Sequence, residues 1–255
     1  MDPGVLALMF GTWIPQITGR LAEAQARHAE LEKLSAELQH PLSMALALNT
    51  SCCYHVNRGD FEGTRKAGQA MIELARTHGM FVYEIIGIHF RGWGAARAGE
   101  VDQVIDEVRG SYHNYVTRVG GLAQSYIALL AAGVFEAAGE IDEAIATLDR
   151  VLEVVEADHC RELAYQAELV RLRGELLAKA GRDDEALAAF QATVDQAVPR
   201  NQPPFALRGA IGLLRLAERR GEGLNDARAL VRTQLERFGP HETTEELESA
   251  RALVR

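Results

Sequence analysis

The chain has 255 residues, 47% of them hydrophobic and 25% charged, and carries a formal net charge of −9. That length supports a sizeable buried core, and the acidic balance excludes nucleic acid as the default partner, because phosphate contacts need a basic surface. The longest apolar stretch, residues 126–135, is too short to cross a bilayer, and no basic region precedes the first apolar residues, so neither a membrane span nor a secretory leader is expected.

Taken in chain order, the punctuation is regular. Glycines that follow helical sequence stand at Gly19, Gly59, Gly99, Gly139, Gly181 and Gly221, at successive spacings of 40, 40, 40, 42 and 40. A glycine at a helix end takes the left-handed conformation, and an acidic residue just beyond it, as in Gly59-Asp60, Gly99-Glu100 and Gly139-Glu140, suits the positive end of the next helix. Pro3, Pro41 and Pro204 stand where the first helix of a pair should start, a position proline tolerates. Pro15 falls inside the first helix and is expected to distort it. After Gly19, Leu21, Ala24, Leu31 and Leu38 form a loose stripe that includes His28. Further first helices are expected over about 42–57, 82–98, 122–138 and 162–180. The second helices are clearest after Gly139, where Ile141, Ala144, Ile145, Leu148, Val151, Leu152 and Val155 recur at spacings of three and four, and after Gly181. Gly239-Pro240 breaks this pattern, and Thr243 with Glu246 reads as a capping box ahead of Leu247, Ala250 and Leu253.

No segment alternates with period two beyond a few residues, so almost no sheet is expected. Helix pairs of this size bury their apolar faces only by stacking on neighbours. The expected fold is therefore all-α: one right-handed superhelix of about six helix pairs spanning residues 1–255, with repeats near 3–40, 41–80, 81–120, 121–160, 161–200 and 201–239 and a capping helix over 243–254. Gly87, Gly92, Gly133 and Gly212 lie inside helices at a cost of about 1 kcal/mol each, which close helix packing would explain.

Gly174, Gly181, Ala186, Phe190 and Pro199 resemble the tetratricopeptide signature, in which small residues let paired helices approach and an aromatic fills the gap. The run at 167–177 (Ala-Glu-Leu-Val-Arg-Leu-Arg-Gly-Glu-Leu-Leu), His40-Pro41, Arg91-Gly92-Trp93, the turn at 181–186 and the closing segment at 248–253 resemble the C-terminal superhelix of large bacterial signalling ATPases. Maltose-regulator-type activators carry a related sensor. The resemblance implies a sensor or scaffold region, either part of a longer protein with a preceding ATPase or cyclase domain or a chain that acts alone. This chain has no Walker glycine loop, cyclase domain or kinase motif, so those activities are not assigned to it.

In tetratricopeptide arrays the first helix of each pair lines a concave groove. Aligning the turn glycines places Asn49, Cys53, His89, Trp93, Tyr126, Leu129, Glu168, Arg171, Glu175, Arg208 and Arg215 on that face. Asn49, His89, Trp93, Tyr126, Glu168, Arg171 and Glu175 are the candidate partner-binding residues, Trp93 and Tyr126 as stiff contact area and the charged trio as directional polar contacts. The alternative is that the aromatics fill the seam between repeats, and that Glu168, Arg171 and Glu175 only pair along one helix. No two histidines stand three or four apart, so neither a metal nor any other cofactor is expected, and Cys52-Cys53 is not a Cys-x-x-Cys motif. Three cysteines make no disulfide framework, which fits a reducing cytoplasm. Only Lys33, Lys66 and Lys179 among 27 basic residues are lysine, a skew typical of GC-rich bacterial genomes.

The expected function is non-enzymatic: a scaffold holding a peptide or partner domain in the groove. A small-ligand sensor governing an attached ATPase is the second reading. Self-association through an end repeat, with residues 5–10 as the apolar contact, is the third.

Overall fold

A computed structural model describes residues 2–119, 123–156 and 163–255. Among these residues every regular element is helical. Six first helices, α1 (Pro3–Ile17), α3 (Pro41–Asn57), α5 (Phe81–Arg97), α7 (Gln124–Ala137), α9 (Gln166–Lys179) and α11 (Pro203–Arg220), alternate with six second helices, α2 (Leu21–Leu38), α4 (Phe61–His78), α6 (Ile105–Asn114), α8 (Ile141–Glu156), α10 (Asp183–Ala197) and α12 (Leu224–Leu235). A short α13 (Glu245–Leu253) follows. The expected helix starts at Leu122 and Glu162, and the third cysteine, Cys160, lie outside the described residues.

The periodic glycines do the work their spacing implies. All six have positive φ, between 69° at Gly59 and 89° at Gly99. At Gly139 the glycine N–H donates to Glu136 O at 3.0 Å and the Glu140 N–H to Phe135 O at 2.9 Å, and the same pair of bonds recurs around Gly59, Gly99 and Gly181. A side chain at these left-handed positions would be strained, so the turn selects glycine. Asp60 then caps α4, its carboxylate accepting from the Gly63 N–H at 2.8 Å.

Differences from expectation are local. Pro15 does not end α1, which continues through it to Ile17. Proline at 15 removes its own N–H and crowds the Gly11 carbonyl one turn back, and only Gln16 and Ile17 follow it in the helix. The second helix of the third pair is short: a 3-10 turn (Val101–Gln103) precedes α6, and a π turn (Tyr115–Val119) follows it. The final cap is Thr244 instead of Thr243, its Oγ accepting from the Leu247 N–H at 3.2 Å, while Glu246 turns to another partner described below.

The chain forms two compact units, Met1–Gln16 with Glu23–Thr147, and Ile17–Ala22 with Leu148–Arg255. Within each, neighbouring helices pack in sequence order. In the first unit, Val5 and Leu31 join Ala47 in a core cluster flanked by Leu8, Leu34 and Leu46. The closest approach there is between α4 and α5, where a Cβ on Gly68 would stand 2.6 Å from the Arg91 backbone nitrogen and one on Gly87 would stand 3.0 Å from the Gly68 carbonyl. In the second unit Phe190 of α10 is clasped by glycines: an added Cβ on Gly174 of α9 or on Gly212 of α11 would meet its ring at 2.9 and 2.5 Å. Small residues on the flanking helices thus make room for one buried aromatic.

Candidate functional site

The candidate residues fall in both units. In the first, Asn49 is half-buried on α3, whereas His89, Trp93 and Tyr126 are interior, with exposures of 0%, 8% and 6%. Trp93 meets Phe61 edge-on at 5.4 Å, with its five-membered ring against Gly133 of α7. The Arg97 guanidinium lies 5.7 Å from the Trp93 ring and donates to Glu136 at 2.6 Å. Tyr126 tilts on Phe90 at 5.6 Å. Burial pushes the Cys53 thiol up to about 12 and raises Cys52 well above its ordinary range, so neither is a nucleophile near neutral pH.

His89 is the one of these whose chemistry is unfinished. Its Nδ1 lies 2.8 Å from Ile85 O, so that nitrogen carries the proton and donates, which leaves Nε2 a buried acceptor with no hydrogen-bond partner. Desolvation holds its pKa down to about 4. The unfolded chain therefore binds a proton at His89 between about pH 6.5 and 4 that the folded chain refuses, and stability falls as pH drops through that window. Lowering pH from 7 to 4 is expected to cost about 3 kcal/mol through His89 alone. His89→Leu should flatten that part of the pH dependence in urea melts, and an unchanged slope would show that His89 is hydrated.

A second interior group, legible only as isolated histidines in the sequence, joins α2 to α3. His28 stacks on Tyr54 at 4.1 Å, meets His55 edge-on at 5.6 Å and places Nε2 2.9 Å from the Ser51 hydroxyl. Burial lowers its pKa, so it is a neutral packing histidine. Ser51 and His28 are both buried, and the carboxylate facing His28, Glu32, is 3.9 Å away and exposed. Among the described residues, no group of three or more His, Cys, Asp or Glu side chains is placed to hold a metal ion.

The second unit brings Glu168, Arg171 and Glu175 together and adds two residues. Along α9, Arg171 donates to Glu168 at 2.9 Å and pairs with Glu175 at 2.6 Å. Across the helices, Arg208 of α11 reaches Glu168 at 3.2 Å and grips Glu246 of α13 through two bonds of 2.5 and 3.0 Å. Glu168, Arg208 and Glu246 thus form alternating rungs across α9, α11 and α13. Their exposure rises along the series, from 9% through 19% to 40% of the side chain. Burial opposes charge on both arginines, but their carboxylate neighbours more than offset it and hold both guanidinium groups above their ordinary range. Glu175 feels the opposing pulls of burial and of Arg171, with a net lowering. Arg208 stood among the aligned groove positions; Glu246 was read only as part of a cap. The missed signal is charge complementarity between residues 31 to 40 apart, which also pairs Arg97 with Glu136 and Arg109 with Glu140 and Glu143 in the first unit.

No family model and no curated protein matches this chain. The described residues contain no helix long and apolar enough to cross a membrane. The functional reading accordingly rests on the site itself.

Proposed function

We propose that the chain is a non-catalytic cytoplasmic interaction module that holds a protein or peptide partner along its first helices, with the ionic ladder of the second unit as the polar part of the contact. The observation that carries this reading is the ladder's graded exposure. Glu168 and Arg171 are fixed by buried bonds, while Glu175 and Glu246, at 35% and 40% side-chain exposure, stay within reach of a partner. Preorganised charged groups on a rigid helix lose little entropy when they engage a partner, which favours directional recognition. The resemblance to the superhelix of bacterial signalling ATPases supports a regulatory setting in which such a module reports to an ATPase or cyclase domain.

A photo-crosslinking amino acid at exposed Arg215, whose charge acts on Glu175, tests this in the source cell against a control at exposed Gln191 on α10. Crosslinks to one partner from position 215 and not from 191 are expected. Equal labelling from both, or labelling from 191 alone, would move the partner surface to the second helices.

The small-ligand sensor keeps one specific observation in its favour, the buried acceptor at His89 Nε2, together with the unpartnered Ser111 hydroxyl on the adjoining α6. A ligand there would have to offer hydrogen-bond donors to a dry, largely apolar interior.

A further inference from the structure

We propose that the seam between α5 and α6 encloses one neutral hydroxyl group, that of a water molecule, held between the His89 imidazole and the Ser111 side chain. The proposal rests on the same unmet acceptor as the small-ligand reading and names what meets it. It is independent of the ionic ladder. Packing register brings the two residues together. Gly92 of α5 lies against Val108 of α6, with no space for a Cβ between them. One turn back along α5, the His89 ring meets the Tyr112 ring of α6 at 6.3 Å and 70°. The two pairs run in opposite directions, so the helices are antiparallel and His89 faces the turn that carries Ser111 and Tyr112. His89 and Ser111 are 0% and 6% exposed.

Neither polar group is met by its own helix. The His89 Nδ1–H donates to the Ile85 carbonyl at 2.8 Å, which leaves Nε2 able only to accept. His89 stands ten residues before Gly99, as Arg171 does before Gly181. Arg171 finds Glu168 and Glu175 three residues back and four on; the same steps from His89 reach Ile86 and Trp93, so no charged partner comes from α5. Ser111 stands twelve residues after Gly99, as Thr193 does after Gly181. The Thr193 hydroxyl donates to Ala189 O, four residues back, at 2.9 Å. Ser111 makes no such bond to Glu107 O, and its buried hydroxyl is left to bond across the seam.

These two groups select their occupant. Nε2 needs a donor, and the Ser111 hydroxyl can donate in return. A single O–H group satisfies both, donating to Nε2 while its oxygen accepts from Ser111. A charged occupant would sit buried with no counter-charge, which is costly. The contact between Gly92 and Val108 one turn away holds the helices too close for a large molecule. A buried water with two to four polar partners meets all of these conditions. Donating to Nε2, it keeps the imidazole neutral, whereas bulk solvent would let the ring take a proton.

High-resolution crystal structures of the full chain, with and without a methanol soak, test this. The expected result is a density peak about 2.7–3.2 Å from both His89 Nε2 and Ser111 Oγ, lost in Ser111→Ala. A seam without that peak, a direct bond from Ser111 to His89, or a Ser111 hydroxyl turned to Glu107 O would overturn the proposal. Should Ser111→Ala fail to fold, the parent chain supplies a second readout in solution. An enclosed water gives the His89 ring protons a nuclear Overhauser contact that outlasts surface hydration, and its absence would overturn the proposal equally. The methanol soak separates this proposal from the sensor reading. Methanol seated on the same two anchors, with added density for its methyl carbon, would show that the site takes a ligand hydroxyl, in support of both. A peak that stays water in methanol upholds the enclosed water and removes the support that His89 lends to the sensor.

Discussion

Arg208→Leu is expected to be the most damaging single change in the second unit, lowering stability by about 3 kcal/mol and Tm by about 6–12 °C. The arginine is four-fifths buried and holds carboxylates from two helices at once, Glu168 on α9 and Glu246 on α13. Its loss leaves Glu168, nearly buried, with one arginine in place of two, and releases the ion pair that ties α13 to α11. A helix of nine residues does not persist alone in water, so the Glu246 fork, together with buried Leu247 and Ala250, keeps it folded. Glu168→Gln should cost less, about 1 kcal/mol, because Arg171 keeps Glu175 and Arg208 keeps Glu246. Arg182→Ala, which breaks an ion pair open on both sides, should change stability by less than about 0.5 kcal/mol. Urea denaturation followed by helical circular dichroism ranks the three. If Arg208→Leu costs no more than Arg182→Ala, the ladder is solvated and carries little of the packing.

Gly68→Ala should destabilise the first unit by about 3 kcal/mol, at the upper end for overpacking. The added methyl would stand 2.6 Å from the backbone nitrogen of Arg91, 3.0 Å from Gly87 O and 3.1 Å from the Arg91 Cα. All three are backbone atoms of a helix, so no rotamer can move aside, and α4 must separate from α5 along its length. Gly110→Ala supplies the contrast. Gly110 is exposed inside α6 and an added Cβ meets nothing within 4 Å, so the helix keeps alanine's advantage of about 1 kcal/mol. The same chemical change thus has opposite signs at two helical glycines. Thermal melts of the two variants should bracket the parent; a neutral Gly68→Ala would mean that α4 and α5 are farther apart than described.

The contrast also shows where sequence reading stops. The period of the turn glycines was visible because each one ends a helix in a conformation other residues avoid, and every aligned glycine has that conformation. Gly87, Gly92, Gly133 and Gly212 were read as close-packing positions and do face neighbouring helices, but Gly110 differs from them only in what stands across from it, which the one-dimensional pattern does not contain. The shortened third pair was hidden for a similar reason: nothing in the sequence of Tyr115–Val119 marks a π turn. Of the candidate site, the Glu168, Arg171 and Glu175 pairing was legible because it follows helical spacing. Arg208 and Glu246 join through packing across three helices. Trp93 and Tyr126 were placed on the expected groove face by alignment, and both rings are buried against Phe61 and Phe90, contacts between helices that the spacing does not contain.

The alternating rungs also bear on how such a chain can evolve. Genes built of repeats gain and lose whole units by recombination between their copies, and turns with identical backbone geometry would let any unit be cut out cleanly. Here, excising the stretch that carries Arg208 would set Glu168 opposite Glu246, two carboxylates with one fewer cation between them. Loss of that single unit is therefore opposed by charge as well as by packing.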